Sequence, residues 1–242
     1  MSRHAPPLPI VHLDERIAVV DKPSGLVVHR SAMASDRVNC MTILRRQLHR
    51  HVWPVHRLDR GASGLLVFGL DSGAARDVAE AIAGRSVEKR YLVAVRGWPA
   101  EHGTIERALE DEGKVFEAST AFRRLATSEI DRRTGPRHAT SRFALCEVVP
   151  HTGRWHQIRR HFAGAGWPVV GDNQHGDHLQ NRALREELGV ARLMLHASRL
   201  VLPHDGAILV LDAPMPADML AALARLGVDY STPSTSSRSD NT

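Results

Sequence analysis

The chain has 242 residues, 43% of them hydrophobic and 24% charged, with a formal net charge of +5. This is the composition of an ordinary globular protein and excludes a fibrous or low-complexity chain. No stretch reaches the roughly 18 apolar residues of a membrane span. The proline-rich start also lacks a basic segment followed by an apolar run, so a cytoplasmic protein with no membrane partner is expected.

In chain order, residues 17–20 read as a short buried strand halted by Lys22-Pro23-Ser24-Gly25, and residues 26–28 resume in extended form. Residues 42–50 have the spacing of a short helix. The apolar run 65–70 reads as a strand, followed by a helix that Ser72 would cap and that ends near Gly84. Residues 91–95 form another strand. Residues 116–125 and 138–149 alternate as a strand pair joined by the polar turn 131–136. A helix is predicted over 155–163, a hairpin from 192–202 and 207–211, and a last amphipathic helix over 217–226. The Ser/Thr-rich stretch 230–242 is expected to be disordered. Helices that intersperse with strands rather than alternate strictly predict an α+β fold with a mixed, mainly antiparallel sheet. No repeat or boundary divides residues 1–229, which read as one domain.

Cys40 and Cys146 stand far apart and outside any C-x-x-C pair, so neither a disulfide nor a thiolate metal site is expected. The fifteen histidines include no H-E-x-x-H, and His156 and His161 fall on different helical faces. No metal is therefore expected. A G-x-G-x-x-G or G-K-[ST] phosphate loop is also missing, which removes the usual support for a nucleotide cofactor. Charge is unevenly spread: residues 120–165 hold nine arginines against three acids, the footprint of a phosphate-backbone binder.

The run His56-Arg57-Leu58-Asp59-Arg60-Gly61-Ala62-Ser63-Gly64 sets one carboxylate between two arginines at the mouth of an apolar strand. Such a carboxylate stays ionised at neutral pH and suits a nucleophile or base better than an acid. Gly61 and Gly64 permit a tight loop with close backbone approach. Taken alone, the run reads equally as a solvated loop with a surface ion pair.

The remaining motifs decide between these readings. Lys22-Pro23-Ser24-Gly25-Leu26-Val27-Val28-His29, the Asp59 run, Lys89-Arg90-Tyr91, Thr152-Gly153-Arg154-Trp155-His156-Gln157-Ile158-Arg159, Gly171-Asp172 and Leu195-His196-Ala197 follow in an order that resembles the RluA family of pseudouridine synthases. Arg159-Arg160-His161 and Gly171–Asp177 are most similar to a subgroup that lacks an S4 RNA-binding domain and acts on uridine 65 in the T stem of tRNA.

The resemblance implies a pseudouridine synthase fold with helices and loops around a central cleft, no cofactor, and a monomer. The implied partner is tRNA, with rRNA the alternative. Uridine would be detached at its glycosidic bond, turned, and rejoined through carbon 5. Asp59 matches the family's nucleophile, Arg154 the arginine that pairs with it, and Tyr91 the tyrosine that stacks on the uracil. Arg57 matches a wedge that fills the gap left by a flipped base, and Leu195 an apolar residue against the uracil. Lys22 and Lys89 are expected to support the site or touch RNA, and Arg159 and Arg160 in the basic segment to bind the substrate. Ala62 stands where the family usually has threonine. His56, His151, His156 and His196 read mostly as structural. A catalytically silent RNA-binding protein is the competing class, whereas a zinc base deaminase would need H-x-E and P-C-x-x-C spacings that do not occur.

Overall fold

The computed structural model describes residues 5–29, 38–134 and 138–230. The expected tail from residue 231 on and part of the 131–136 turn lie outside these residues. The elements in chain order are β1 (Ile10–Leu13), β2 (Ile17–Lys22), α1 (Cys40–Leu48), β3 (Trp53–Pro54), β4 (Ser63–Gly69), α2 (Ser72–Ala83), β5 (Glu88–Arg96), β6 (His102–Glu106), β7 (Leu109–Asp111), β8 (Lys114–Phe116), β9 (Ser119–Ile130), β10 (Ser141–Pro150), α3 (Gln157–Gly164), α4 (His178–Leu188), β11 (Leu195–His204), β12 (Ala207–Asp212) and α5 (Ala217–Arg225).

A ten-stranded sheet runs in the order β1-β2-β4-β11-β5-β10-β9-β6, with β12 paired to β11 and β3 to β4. It is mixed: β4 and β11 pair in parallel through His196–Ser63 and Ala197–Gly64, while its other pairs are antiparallel. The α+β expectation holds. The predicted hairpin is β11–β12, and β11 also runs through the middle of the sheet.

Period-two alternation gives each central strand one residue for either face. Tyr91, Val93 and Val95 of β5 pack with Cys146 and Val148 of β10, Ile43 and Leu44 of α1, and Phe162 of α3. The intervening Leu92 and Ala94 face the opposite side, among Leu184 of α4 and Met219 and Leu223 of α5. On that same opposite side Val67 and Leu65 of β4 meet Val78 of α2. Gly69 allows this contact, since a Cβ there would lie 2.6 Å from the Ala75 nitrogen.

Helix ends follow their caps. The α2 cap is Asp71 rather than Ser72, because the Asp71 carboxylate reaches the Ala74 N–H at 2.8 Å. Helix α1 begins at Cys40, two residues before the predicted start, where Asn39 and Thr42 form a reciprocal capping box. Helix α4 was not predicted, although Asp177 caps its start and Gly189, at φ +64°, ends it.

Candidate active site

The loop that carries Asp59 is laced to the turn after β2. Lys22 is fully buried, and its Nζ donates to the carbonyls of Pro23 (2.9 Å), Leu26 (2.7 Å) and Arg60 (3.3 Å). Burial pushes its amine down to about 8, with nearby charges making smaller contributions. The Gly25 N–H donates to the Arg60 carbonyl, and Ser24 Oγ to the Gly61 carbonyl. At the loop's end Gly64 has φ +109°, and a Cβ there would sit 2.2 Å from the Ala197 carbonyl oxygen. Only glycine fits this approach of β4 to β11.

Arg159 holds the Asp59 carboxylate: its Nη1 donates to Oδ2 at 2.8 Å. The same guanidinium grips both oxygens of Asp172, through Nε and Nη2 at 2.7 Å each, and Nη2 also reaches Gln174 Oε1 at 3.0 Å. Asp172 Oδ1 further accepts from the N–H groups of Gln174 and His175. Arg159 is 6% exposed and Asp172 1%, so both would be driven toward neutrality if alone. For Arg159 burial is outweighed by its hydrogen bonds to Asp172 and Asp59, and its pKa is raised. For Asp172 burial is outweighed by Arg159 and the two N–H donors, and its pKa is lowered.

On the other side of Asp59, His156 Nε2 lies 3.6 Å from Oδ1, beyond hydrogen-bond reach. Its Nδ1 is 3.0 Å from His175 Nε2, and Trp155 stacks on its ring at 3.9 Å and 21°. Burial pushes the imidazole down to about 4, against the opposing pull of the Asp59 charge. His156 is therefore neutral at physiological pH, a polar neighbour rather than an ion-pair partner.

These groups open into a cleft of about 390 Å³ whose walls include Arg57, Leu58, Ala62, Lys89, Tyr91, Arg154 and Leu195. Tyr91 sits in β5 opposite Ala197 of β11 and Val148 of β10. Burial, and then the Asp59 charge, push its phenol up, so the hydroxyl stays protonated and can donate a hydrogen bond. Below the cleft Gln157 is fully engaged. Its Nε2 donates to the Ser119 carbonyl and Thr120 Oγ1, and its Oε1 accepts from Thr152 Oγ1 and the Arg154 N–H. This tie and the left-handed backbone of His156 (φ +50°) start α3 at Gln157 rather than at Trp155. A larger cavity, about 600 Å³, lies between Arg96, Arg142 and Gln180 and contains none of the predicted site residues.

Residues 16–164 match the RNA pseudouridylate synthase family. The chain belongs to that family. It is 43% identical over 210 residues to a Vibrio cholerae protein called tRNA pseudouridine synthase C, covering 81% of this chain and 86% of that protein. A Salmonella typhimurium protein of the same description is 40% identical over 235 residues, 91% of this chain and 90% of that one. Among solved structures, human RNA pseudouridylate synthase domain containing 4 superposes with a TM-score of 0.73 at 24% identity, covering 93% of this chain and 95% of the other, which establishes a shared fold. Human RNA pseudouridylate synthase domain containing 1 gives 0.71 at 25% identity, covering 89% and 87%. The family makes the chain an isomerase acting on RNA.

The structure places Asp59, Tyr91, Arg57, Lys89 and Leu195 on one cleft, as the motifs implied. Three expectations require correction. Arg154 does not pair with Asp59: it is exposed at the cleft rim, its Cζ 4.9 Å over the Phe116 ring and its Nε 3.4 Å from the Glu117 carbonyl. Arg159, expected on the substrate, is instead buried and spent on two carboxylates. Of the two roles expected for Lys22, contact with RNA falls and support of the Asp59 loop holds, because its amine is enclosed by three carbonyls.

Arg160 is half-buried beside the Trp155 ring, at 5.8 Å, and does not line the cleft. Two histidines are structural as read. His56 Nε2, kept neutral by burial at about 3, accepts the Val67 N–H, and His196 bridges Ser63 Oγ and the Ala213 carbonyl. Sequence reasoning gave no role to Asp172, Gln174 or Gln157, and read His156 only as structural. The signal for Asp172 was the Gly171-Asp172 pair within the resemblance.

Proposed function

We propose that the protein converts a uridine of tRNA to pseudouridine, with Asp59 as nucleophile and without a cofactor. The observation that carries this reading is an acidic side chain gripped by a buried arginine at the bottom of an open cleft, with a protonated tyrosine and an apolar side chain on its walls. Arg159 holds and orients Asp59, so the carboxylate meets the ribose or base preorganised. Tyr91 stacks on the uracil with its hydroxyl near the carbon 5 proton, and Leu195 packs against the base. Arg57, exposed at the mouth, fills the gap left by the flipped nucleotide. Arg154 and Lys89 contact backbone phosphates.

The tRNA substrate is supported by the similarity to proteins called tRNA pseudouridine synthase C over more than four-fifths of the chain, and uridine 65 of its T stem is the position that the motif resemblance implies. Purified protein incubated with transcripts tritiated at uridine carbon 5 is expected to release tritium, and Asp59→Asn to release none. Release by Asp59→Asn at the wild-type rate would remove the mechanism. Mapping pseudouridines in RNA from cells with and without the gene tests the substrate: loss at uridine 65 is expected, and loss confined to rRNA would overturn the tRNA assignment.

A further inference from the structure

Away from the cleft, three side chains distant in sequence converge on one point. His12 Nε2 lies 2.6 Å from Asp14 Oδ2, and His204 Nε2 lies 2.7 Å from the same oxygen. The two rings meet edge to face with centroids 6.1 Å apart. All three donor atoms fall within 4.8 Å of one another. A fourth donor is near, since Asp205 Oδ2 is 3.6 Å from His204 Nε2. We propose that His12, Asp14 and His204 form a divalent transition-metal site, suited to Zn²⁺, that clamps β1 to the β11–β12 turn.

Donor chemistry points to zinc: two imidazole nitrogens and one carboxylate oxygen form a recurrent three-ligand set, with the fourth position left to Asp205 or water. Zinc takes such donors at about 2.0–2.2 Å, which in a tetrahedron spaces them about 3.3 Å apart. Opening from 2.6–2.7 Å to that spacing needs only small side-chain rotations.

The carboxylate is already set for ligation. Asp14 Oδ1 accepts the N–H groups of Arg16 and Ile17 at 2.8 Å each, which fixes the group and leaves Oδ2 turned to the imidazoles. The surrounding charge favours a cation, because Arg16 is already paired with Asp77 and Asp205 while Asp14 has only imidazoles. A metal also has a structural use here. Strand β1 lies at the end of the sheet order, with Ile10 and Leu13 exposed at 36% and 48%. It gains little from core packing and would gain from a cross-link to the hairpin.

The test uses the full chain, free of any affinity tag, stripped with chelator and titrated with Co²⁺ and then Zn²⁺. The expected result is one equivalent of Co²⁺ with a visible absorption band of four-coordinate metal, displaced by Zn²⁺, and a higher melting temperature in Zn²⁺. His12→Gln and His204→Gln, whose amide nitrogen can keep a hydrogen bond to Asp14, should each lose the one-equivalent binding yet release tritium at the wild-type rate. A protein with both His156→Gln and His175→Gln, which lacks the other adjacent imidazole pair, should still bind one equivalent. Absence of stoichiometric binding in the wild type, its survival in His12→Gln and His204→Gln, or its loss in the His156/His175 protein would each overturn the proposal.

Discussion

The depth of the cleft and its rim are built on opposite electrostatic plans, although both draw on the same stretch of basic sequence. In the depth, Arg159 is committed to Asp59 and Asp172, and Lys22 to three carbonyls. At the rim, Arg57 and Arg154 are exposed and pair with no carboxylate among the described residues. Two arginines five residues apart thus do different work, one positioning a carboxylate and the other left facing solvent where RNA would lie.

The largest expected effect is at the bottom of the depth. Asp59→Asn should lower tritium release on the order of 10⁴-fold or more while leaving tRNA affinity by filter binding within a few-fold of wild type. A comparable loss of affinity would make Asp59 a binding residue and erase the contrast with the rim.

Arg159→Met leaves a buried carboxylate uncompensated, and urea titration should report a stability loss of about 3–5 kcal/mol. Adding Asp172→Asn should recover part of that stability and none of the turnover. Full retention of stability in the single variant would mean that Arg159 is no deeper in character than Arg154. Tyr91→Phe keeps the ring and removes the hydroxyl, and should lower kcat by about 10²-fold with little change in KM. An effect on KM alone would move Tyr91 to the binding side of the division.

The depth also leaves a mark on pH dependence. Burial holds His56 and His156 at about 3 and about 4, below their ordinary 6.5. Between these values the unfolded chain binds protons that the folded chain does not, so stability is full above pH 6.5 and falls as the pH drops toward about 4. Urea midpoints measured across that window should decline, and His156→Gln should flatten part of the slope.

The smallest effect is at the rim. Arg154→Ala should leave stability within about 0.5 kcal/mol, weaken tRNA binding about tenfold, and reduce the salt-dependence slope by about one. Turnover at saturating RNA should be unchanged.

What the sequence discloses follows the same division. Asp59 and Tyr91 were legible because motif order fixes them, and β4 because Leu65-Leu66-Val67-Phe68 is an unbroken apolar run inside a fully buried strand. The exchange between Arg154 and Arg159 was not legible. Both arginines lie beside the same helix start, and which one points at Asp59 depends on where α3 begins. That start is set by Gln157 reaching across to Ser119 and Thr120 and by the left-handed turn at His156. Helix α4 was missed because its apolar positions are few and His178, Gln180, Asn181 and Arg182 mask its period, leaving only the caps as a signal. For Lys22 the sequence left open whether it supports the site or touches RNA; its enclosure depends on the Arg60 carbonyl, 38 residues away.

One consequence follows from Arg159 being shared. Two carboxylates, one guanidinium and the buried Lys22 ammonium sum to no net charge, and the neighbouring imidazole adds none. The floor of the cleft therefore offers phosphate no net charge to bind, while the arginines at its mouth attract it. A nucleotide approaching from RNA is sorted by charge: its backbone is held at the entrance, and only the uncharged base and sugar are admitted to the acid beneath.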